Sequence, residues 1–302
     1  MVHGLAMNLP PENLTAIVNT GDDFTHLGLY ISPDIDTVTY TLAQKANSRH
    51  GWGVEGETWN VFETLQHLNA PTWFQLGDKD LATHLTRTHL LNQGMSLTSV
   101  TKYFCNHWHV KTKILPMSDE PVRTMVHTLQ GQTLSFQEYF VKEQCLPVVS
   151  GFSFEGLETA KAGQEVIRHI KEADIIIICP SNPWLSIDPI LGLKCLREEI
   201  SKKPVIAISP IISGETIKGP AAKICMELGI KPSATSVAVH YQELLTAFVF
   251  DEKDRLEIKI IHQLGIIPFV TDTFMRTDDD RRRLASEIIA LGKTLINRSN
   301  IT

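Results

Sequence analysis

The chain has 302 residues, 43% hydrophobic and 21% charged, which is ordinary for a globular protein and long enough to bury a large core. Its 28 Lys and Arg against 34 Asp and Glu leave a formal charge of −6, so it lacks the basic footprint of a nonspecific nucleic-acid binder. No apolar run approaches the roughly 18 residues of a membrane span, and Met1–Pro11 has no basic segment leading into an apolar stretch, so no signal peptide is expected.

The first apolar run, Leu14–Val18, predicts a strand. Asn19-Thr20-Gly21-Asp22-Asp23 follows it, placing acids where open α/β sheets bind ligands. Leu27–Ile31 reads as a short strand or an extended loop. Asp36–Ala46 reads as a helix, and Pro33-Asp34-Ile35-Asp36-Thr37 precedes and opens it. Thr58–Leu68, Leu81–Gln93 and Ser96–Trp108 are further helices; Gly94 ends the second and Ser96 caps the third. A third carboxylate cluster, Gly77-Asp78-Lys79-Asp80, stands before Leu81. Acids so spaced hold a divalent cation through one or two oxygens and leave the rest to water and phosphate. Each cluster alone reads as a turn; three together point to a site.

Lys113–Leu115, Val122–Thr128 and Thr133–Val141 read as strands, the last two joined by a hairpin turn at Leu129–Gln132. From Gly163 helix and strand alternate: Gln164–Glu172 helix, Asp174–Cys179 strand buried on both faces, Leu191–Ser201 helix, Pro204–Ser209 strand and Pro220–Leu228 helix. Ser236–His240, Ala247–Phe250, Glu257–Ile261 and Ile267–Val270 are read as strands, and Arg281–Asn297 as a closing helix. Such alternation means a parallel, helix-covered sheet. Residues 1–302 are read as one α/β domain, with an insertion lobe over about 37–150.

Pro180-Ser181-Asn182-Pro183 and Ser209-Pro210-Ile211-Ile212-Ser213-Gly214 place small polar residues after parallel strands. Lys218-Gly219-Pro220-Ala221-Ala222-Lys223 opens a helix whose free N–H groups suit an anion. Together they suggest a nucleotide pocket. Gly51-Trp52-Gly53-Val54-Glu55-Gly56 matches a dinucleotide fingerprint literally, but no strand is predicted before it, so that reading is rejected. Trp52 is instead available to stack on a flat ring. The five cysteines are odd in number and lack C-x-x-C spacing, which suggests reduced, mostly buried thiols in a cytoplasmic protein. His107 and His109 are taken as surface or packing residues.

Six motifs in order, Asn19–Asp23, Ser32–Thr37, Leu76–His84, Leu115–Asp119, Pro180–Pro183 and Ser209–Ile211, resemble the 2-phospho-L-lactate transferases of deazaflavin coenzyme F-420 biosynthesis. The resemblance covers nearly the whole chain. It implies a Rossmann-like three-layer fold with an added lobe, Mg²⁺ as cofactor and a homodimer. It also implies transfer of a phospholactyl or phosphoenolpyruvyl group from a guanosine-diphosphate-linked donor to 7,8-didemethyl-8-hydroxy-5-deazariboflavin, with GMP leaving. Family members begin with a strand and a Gly-rich loop. This sequence opens at Met1-Val2-His3-Gly4-Leu5, which looks like the middle of the following helix, so the first strand and loop are expected to be missing.

Under that resemblance, catalysis falls to Asp36, Asp22, Lys79 and Asp78. Asp22 and Asp36 ligate the metal or orient the hydroxyl, with Asp78 and Asp80 as second choices, and Lys79 meets transferring phosphate oxygens. Binding contacts are expected from Asp36, Trp52, Gln75, Thr83, His84, Ser118 and Asp119, and from Ser181, Asn182, Ser209 and Gly219 on the nucleotide. Gln75 stands where some relatives carry a basic residue. The rival reading is a regulatory protein of the same fold that binds nucleotide-linked metabolites without catalysis.

Overall fold

The computed structural model describes residues 1–47, 52–217 and 219–299. The backbone groups into two compact units. One comprises Met1–Pro10, Val149–Gly151 and Ile167–Thr302; the other comprises Pro11–Val148 and Phe152–Val166. Helix α1 (Val2–Asn8) opens the chain and belongs to the first unit.

In the second unit β1 (Thr15–Val18) is a strand as expected. Two short strands follow, β2 (Phe24–His26) and β3 (Leu29–Ile31), an antiparallel hairpin turned at Leu27 and Gly28, both with positive φ. Next come α2 (Pro33–Leu42), α3 (Asn60–His67), α4 (Asp78–Asn92) and α5 (Leu97–His107). Strand β4 (Lys113–Pro116) runs parallel to β1, pairing Thr15 with Lys113 and Val18 with Pro116. Val18, Ile35, Leu97, Cys105 and Ile114 form the core between this pair and α2 and α5. Ser96 caps α5 by accepting from the Ser99 N–H, and Gly94 ends α4 with φ +88°. Strand β5 (Arg123–Thr128) pairs antiparallel with β6 (Thr133–Ser135), and β7 (Val149–Glu155) follows, its first three residues belonging to the first unit.

Helices α2 and α4 start three residues earlier than their apolar spacing suggests. Pro33 occupies the first turn of α2, and the acids of both motifs fill first turns, where the helix dipole favours them. Helix α2 also stops at Leu42, short of Ala46, because Gln44 takes φ +56°. The expected strand Thr133–Val141 ends at Ser135. Glu138 accepts from the Ser135 backbone and hydroxyl, and a π-helical turn runs over Glu138–Lys142.

The chain passes through α6 (Gln164–Glu172) into the first unit and its four-stranded parallel sheet. The strands are β8 (Ile176–Ile178), β9 (Val205–Ile208), β12 (Ala247–Asp251) and β13 (Ile267–Thr271), in the order β13-β12-β9-β8. Between β8 and β9 lie α7 (Asp188–Leu191) and α8 (Lys194–Ile200), two helices where one was expected, parted at Gly192 and Leu193. A two-residue pair, β10 (Ile211–Ile212) and β11 (Glu215–Thr216), follows β9. Then come α9 (Ala221–Glu227), α10 (Ala234–His240), α11 (Ile258–Gln263) and the closing α12 (Asp278–Ser299). Ile206, Ile208, Ala247 and Val249 of the sheet pack on Leu284, Ile288 and Leu295 of α12.

Three expectations fail here. Ser236–His240 is helical, since Ser233 and Ser236 form a capping box that outweighs the valines. Glu257–Ile261 begins α11 instead of a strand. Strand β8 stands at a sheet edge with only Ile178 buried, so it is not covered on both faces. All five cysteines are free thiols, two buried and three partly so. No helix among the described residues is long and apolar enough to cross a membrane.

Candidate active site

The acids of α2 and α4 meet in the second unit. On α2, Asp36 and Tyr40 share a buried face one turn apart. On α4, Asp80, His84 and Arg87 recur at helical spacing and are all buried. Arg87 is only 1% exposed, a burial that an arginine accepts when its charge is matched. It grips both Asp36 oxygens, Nη1 donating to Oδ2 at 3.0 Å and Nη2 donating to Oδ1. Its Nη1 also donates to His84 Nδ1 at 3.0 Å. Tyr40 donates its hydroxyl to Asp80 Oδ1 at 2.7 Å, and His84 Nε2 lies 3.3 Å from that oxygen. Burial pushes the Asp80 carboxyl up. The His84 ring, the Tyr40 hydroxyl and the Arg87 charge outweigh it, so Asp80 titrates below its ordinary value.

A second acidic group lies at the end of β1. Asp22 and Asp23 are 5% and 1% exposed. Burial, then the Asp34 and Asp23 charges, hold Asp22 well above the usual carboxylate range, against hydrogen bonds from Asn19 and Thr124. Its Oδ1 is buried without a hydrogen-bond partner. Asp34 is raised to about 6 by burial, although Asn19 Nδ2 donates to it at 3.2 Å. Asp23 is raised to about 7 by burial, despite Arg123 nearby and hydroxyls of Ser32 and Tyr30 donating at 2.9 and 3.1 Å. Burial is the main cause at all three, and like charge adds to it only at Asp22.

A cavity of about 490 Å³ opens over these groups. Asp22, Asp34, Asp36, Asp80, His84 and Tyr40 form its polar wall. Trp52, Trp73, Phe74, Phe136 and Phe140 form its apolar wall. Phe74 stands edge-on to Phe24 at 4.8 Å, and Phe136 stacks on Phe140 at 5.4 Å. The π-helical turn beyond β6 supplies Phe140 and Val141 to the wall, and Gln137 and Gln144 flank it there. The space suits a drug-sized planar ring.

The sequence matches the family model described as 2-phospho-L-lactate transferase CofD over residues 1–281. The chain belongs to that family. It is 38% identical over 295 residues to the 2-phospho-L-lactate transferase of Methanosarcina acetivorans, covering 98% of this chain and 96% of that one. It is 35% identical over 291 residues to the phosphoenolpyruvate transferase of Kitasatospora aureofaciens, covering 94% and 91%. A crystal structure of a UPF0052-family protein from Bacillus halodurans shares the fold, with a TM-score of 0.61 at 13% identity over 95% of this chain and 94% of that one. The chain is therefore a transferase enzyme with a mixed, Rossmann-like α/β fold.

Of the residues singled out in this transferase's sequence, Asp22, Asp36, Trp52, Gln75 and His84 line the cavity. Lys79 and Asp78 do not. Lys79 Nζ donates to the Glu55 carbonyl at 2.9 Å. Asp78 caps α3, accepting from Thr58 Oγ1 at 2.6 Å and the Val61 N–H at 3.1 Å, which hold it down at about 2. Thr83 is buried on α4 beside the Lys79 carbonyl, 3.5 Å away. Ser118 donates to the Lys161 carbonyl at 2.8 Å, and Asp119 accepts from the Thr98 N–H at 2.6 Å at the start of α5.

In the first unit, Ser181 is half-buried and Asn182 caps the π-helical turn Pro183–Ile187. Ser209 closes a turn by donating to the Ile211 carbonyl at 2.8 Å. Gly219 has φ +78° and accepts from Thr216 Oγ1 at 3.0 Å. Lys218 and Gly51, parts of two of the motifs, lie outside the described residues. Helix α2 ends at Leu42 and α3 begins only at Asn60, so the glycine run Gly51–Gly56 is not the turn of a strand–helix unit.

Sequence reasoning missed Arg87, although Asp80, His84 and Arg87 sit at the spacing of one helix face. It named Asp34 as a member of its carboxylate cluster but gave it no role of its own, and gave none to Tyr40 or to the aromatic wall at Trp73, Phe74, Phe136 and Phe140.

Proposed function

We propose that this transferase moves a phospholactyl or phosphoenolpyruvyl group from a guanosine-diphosphate-linked donor to 7,8-didemethyl-8-hydroxy-5-deazariboflavin. GMP is released, as a step of coenzyme F-420 biosynthesis. The observation that carries this reading is the cavity itself, aromatic on one wall and lined by four carboxylates on the other. The aromatic wall takes the fused ring. The carboxylates suit a sugar-like hydroxyl that must lose its proton to attack phosphorus. The names of the relatives support the three-carbon acid on the donor.

Asp34, raised to about 6, is the carboxylate placed to take that proton near neutral pH. Asp36, held by Arg87, orients the bound acceptor. Ser181, Asn182, Ser209 and Gly219 are the proposed contacts of the nucleotide. Mg²⁺ belongs to the same reading, and the polar wall fits it: Asp22 Oδ1 is a buried, unpartnered carboxyl oxygen beside a second acid, Asp34. Asp22 would hold the ion, with Asp36 a weaker ligand because Arg87 occupies both its oxygens. When bound, the ion neutralises phosphate oxygens. A homodimer in the cytoplasm completes the proposal by family resemblance.

The test is direct. The purified protein is titrated with the fluorescent deazaflavin, then incubated with guanosine-diphosphate-linked lactate or enolpyruvate and Mg²⁺ while GMP is measured. Saturable binding and GMP release with one donor support the reading. No deazaflavin binding would falsify it and leave the regulatory alternative.

A further inference from the structure

We infer that Arg87 is a positioning residue that holds His84 as an Nε2–H donor, and that His84 and Asp80 together read the cis-amide edge of the ring bound in the cavity. The second half rests on the deazaflavin reading above. The first rests on the protein alone.

A guanidinium donates and never accepts. Arg87 Nη1 lies 3.0 Å from His84 Nδ1, so Nδ1 supplies the lone pair and the proton of the imidazole sits on Nε2. The guanidinium cannot turn away, because Asp36 grips it at two points. Both Arg87 and His84 are 1% exposed, so water does not compete. Nε2 is nevertheless buried without a hydrogen-bond partner. It lies 3.3 Å from Asp80 Oδ1, but off a hydrogen-bonding line. An unpartnered buried donor is rare and calls for a ligand.

The spacing selects the ligand group. Donor and acceptor stand side by side, 3.3 Å apart. In a cis amide the N–H nitrogen and the carbonyl oxygen are about 2.3 Å apart, from standard bond lengths. Two near-parallel, slightly diverging bonds therefore reach both protein atoms at once. A single hydroxyl bridging the pair at about 2.8 Å and a tetrahedral angle needs them about 4.6 Å apart. The pair thus fits a lactam edge, its carbonyl taking the His84 proton and its N–H meeting Asp80. The same tautomer removes His84 as a cation ligand. Asp36, Asp80 and His84 bring ligand atoms within 4.8 Å of one another, but Nδ1 is occupied and Nε2 carries a proton.

Two measurements test this. In protein carrying ¹⁵N-histidine, His84 is assigned among the 12 histidines by its loss in His84→Gln. Its Nε2 should carry the proton and its Nδ1 should not; the opposite tautomer overturns the Arg87 assignment whether or not any ligand binds. Fluorescence titration then compares the deazaflavin with its analogue methylated on the lactam nitrogen. Wild-type protein should bind the methylated ring at least about tenfold more weakly, as expected when a site's polar pair is left unmatched. His84→Gln, which keeps an N–H near the same place, should stay within about threefold of wild type, and His84→Leu should lose about tenfold. Equal binding of the two rings overturns the lactam inference and leaves the proposed function standing. No binding of either ring overturns both.

Discussion

Glu57 and Asp78 cap each other's helices in opposite directions. Glu57 accepts from the N–H groups of Lys79 and Asp80 at the start of α4, at 2.8 and 2.9 Å. Asp78, the first residue of α4, accepts from the side chain of Asn60 and the N–H of Val61 at the start of α3, at 2.8 and 3.1 Å. The crossing ties residues 57–61 to the helix that carries Asp80 and His84. Glu57→Ala should cost about 0.5–2 kcal/mol, the usual value of an N-cap. A Cβ on Gly77 would come within 2.3 Å of the Glu57 carboxyl carbon, so Gly77→Ala should break the same cap. In urea unfolding the double variant should then resemble either single one. Fully additive losses would show that the two act separately.

Asp36→Asn should abolish most turnover and also cost stability. The asparagine leaves the Arg87 charge buried and unpaired, and breaking a buried pair from one side typically costs about 3–5 kcal/mol. Adding Arg87→Gln should restore part of that stability and none of the activity. Unfolding midpoints and turnover of the two singles and the double check this. A fully stable Asp36→Asn would show that the ion pair does not hold the site together.

Much of this was legible in the chain. The strands of the parallel sheet, the hairpin at Gly131 and the acids after β1 all follow from local patterns. Sequence patterns failed where a distant partner or a local cap decides. The valines of α10 favour a strand until Ser233 and Ser236 cap them into a helix. Asp78 reads like Asp80 in the motif, yet one caps α3 and the other faces the cavity. That difference depends on where α3 packs, which no spacing encodes. Arg87 was encoded by helical period but carries no motif, and only its contact with Asp36, 51 positions away, reveals its use.

Stability should fall as pH rises through neutrality, and Asp23 should account for part of it. Burial raises its carboxyl to about 7, against about 3.9 in an unfolded chain. A raised acid contributes fully below the unfolded value, and that contribution is lost as pH climbs through the folded one. Asp22 and Asp34 act in the same direction. The advantage of Asp23→Asn over wild type should therefore grow between about pH 4 and pH 8. Parallel melting curves across that range would mean that Asp23 titrates normally.

Mg²⁺ should stabilise the folded protein through Asp22. Its unpartnered oxygen and the neighbouring Asp34 repel each other when both are ionised, and a divalent cation relieves that repulsion. A ligand present at about 100 times its dissociation constant adds about 2.7 kcal/mol to the unfolding free energy. Saturating Mg²⁺ should thus raise the melting temperature of wild-type protein by several degrees, more at pH 8 than at pH 5, where protons compete for the same oxygens. Asp22→Asn should melt higher than wild type without the metal, because it removes a buried unpaired charge, and should gain little when Mg²⁺ is added. The asparagine keeps the shape of the site, so the comparison isolates the charge. Equal Mg²⁺ shifts in wild-type and variant protein would move the cation away from Asp22 and leave its raised carboxyl as a proton carrier.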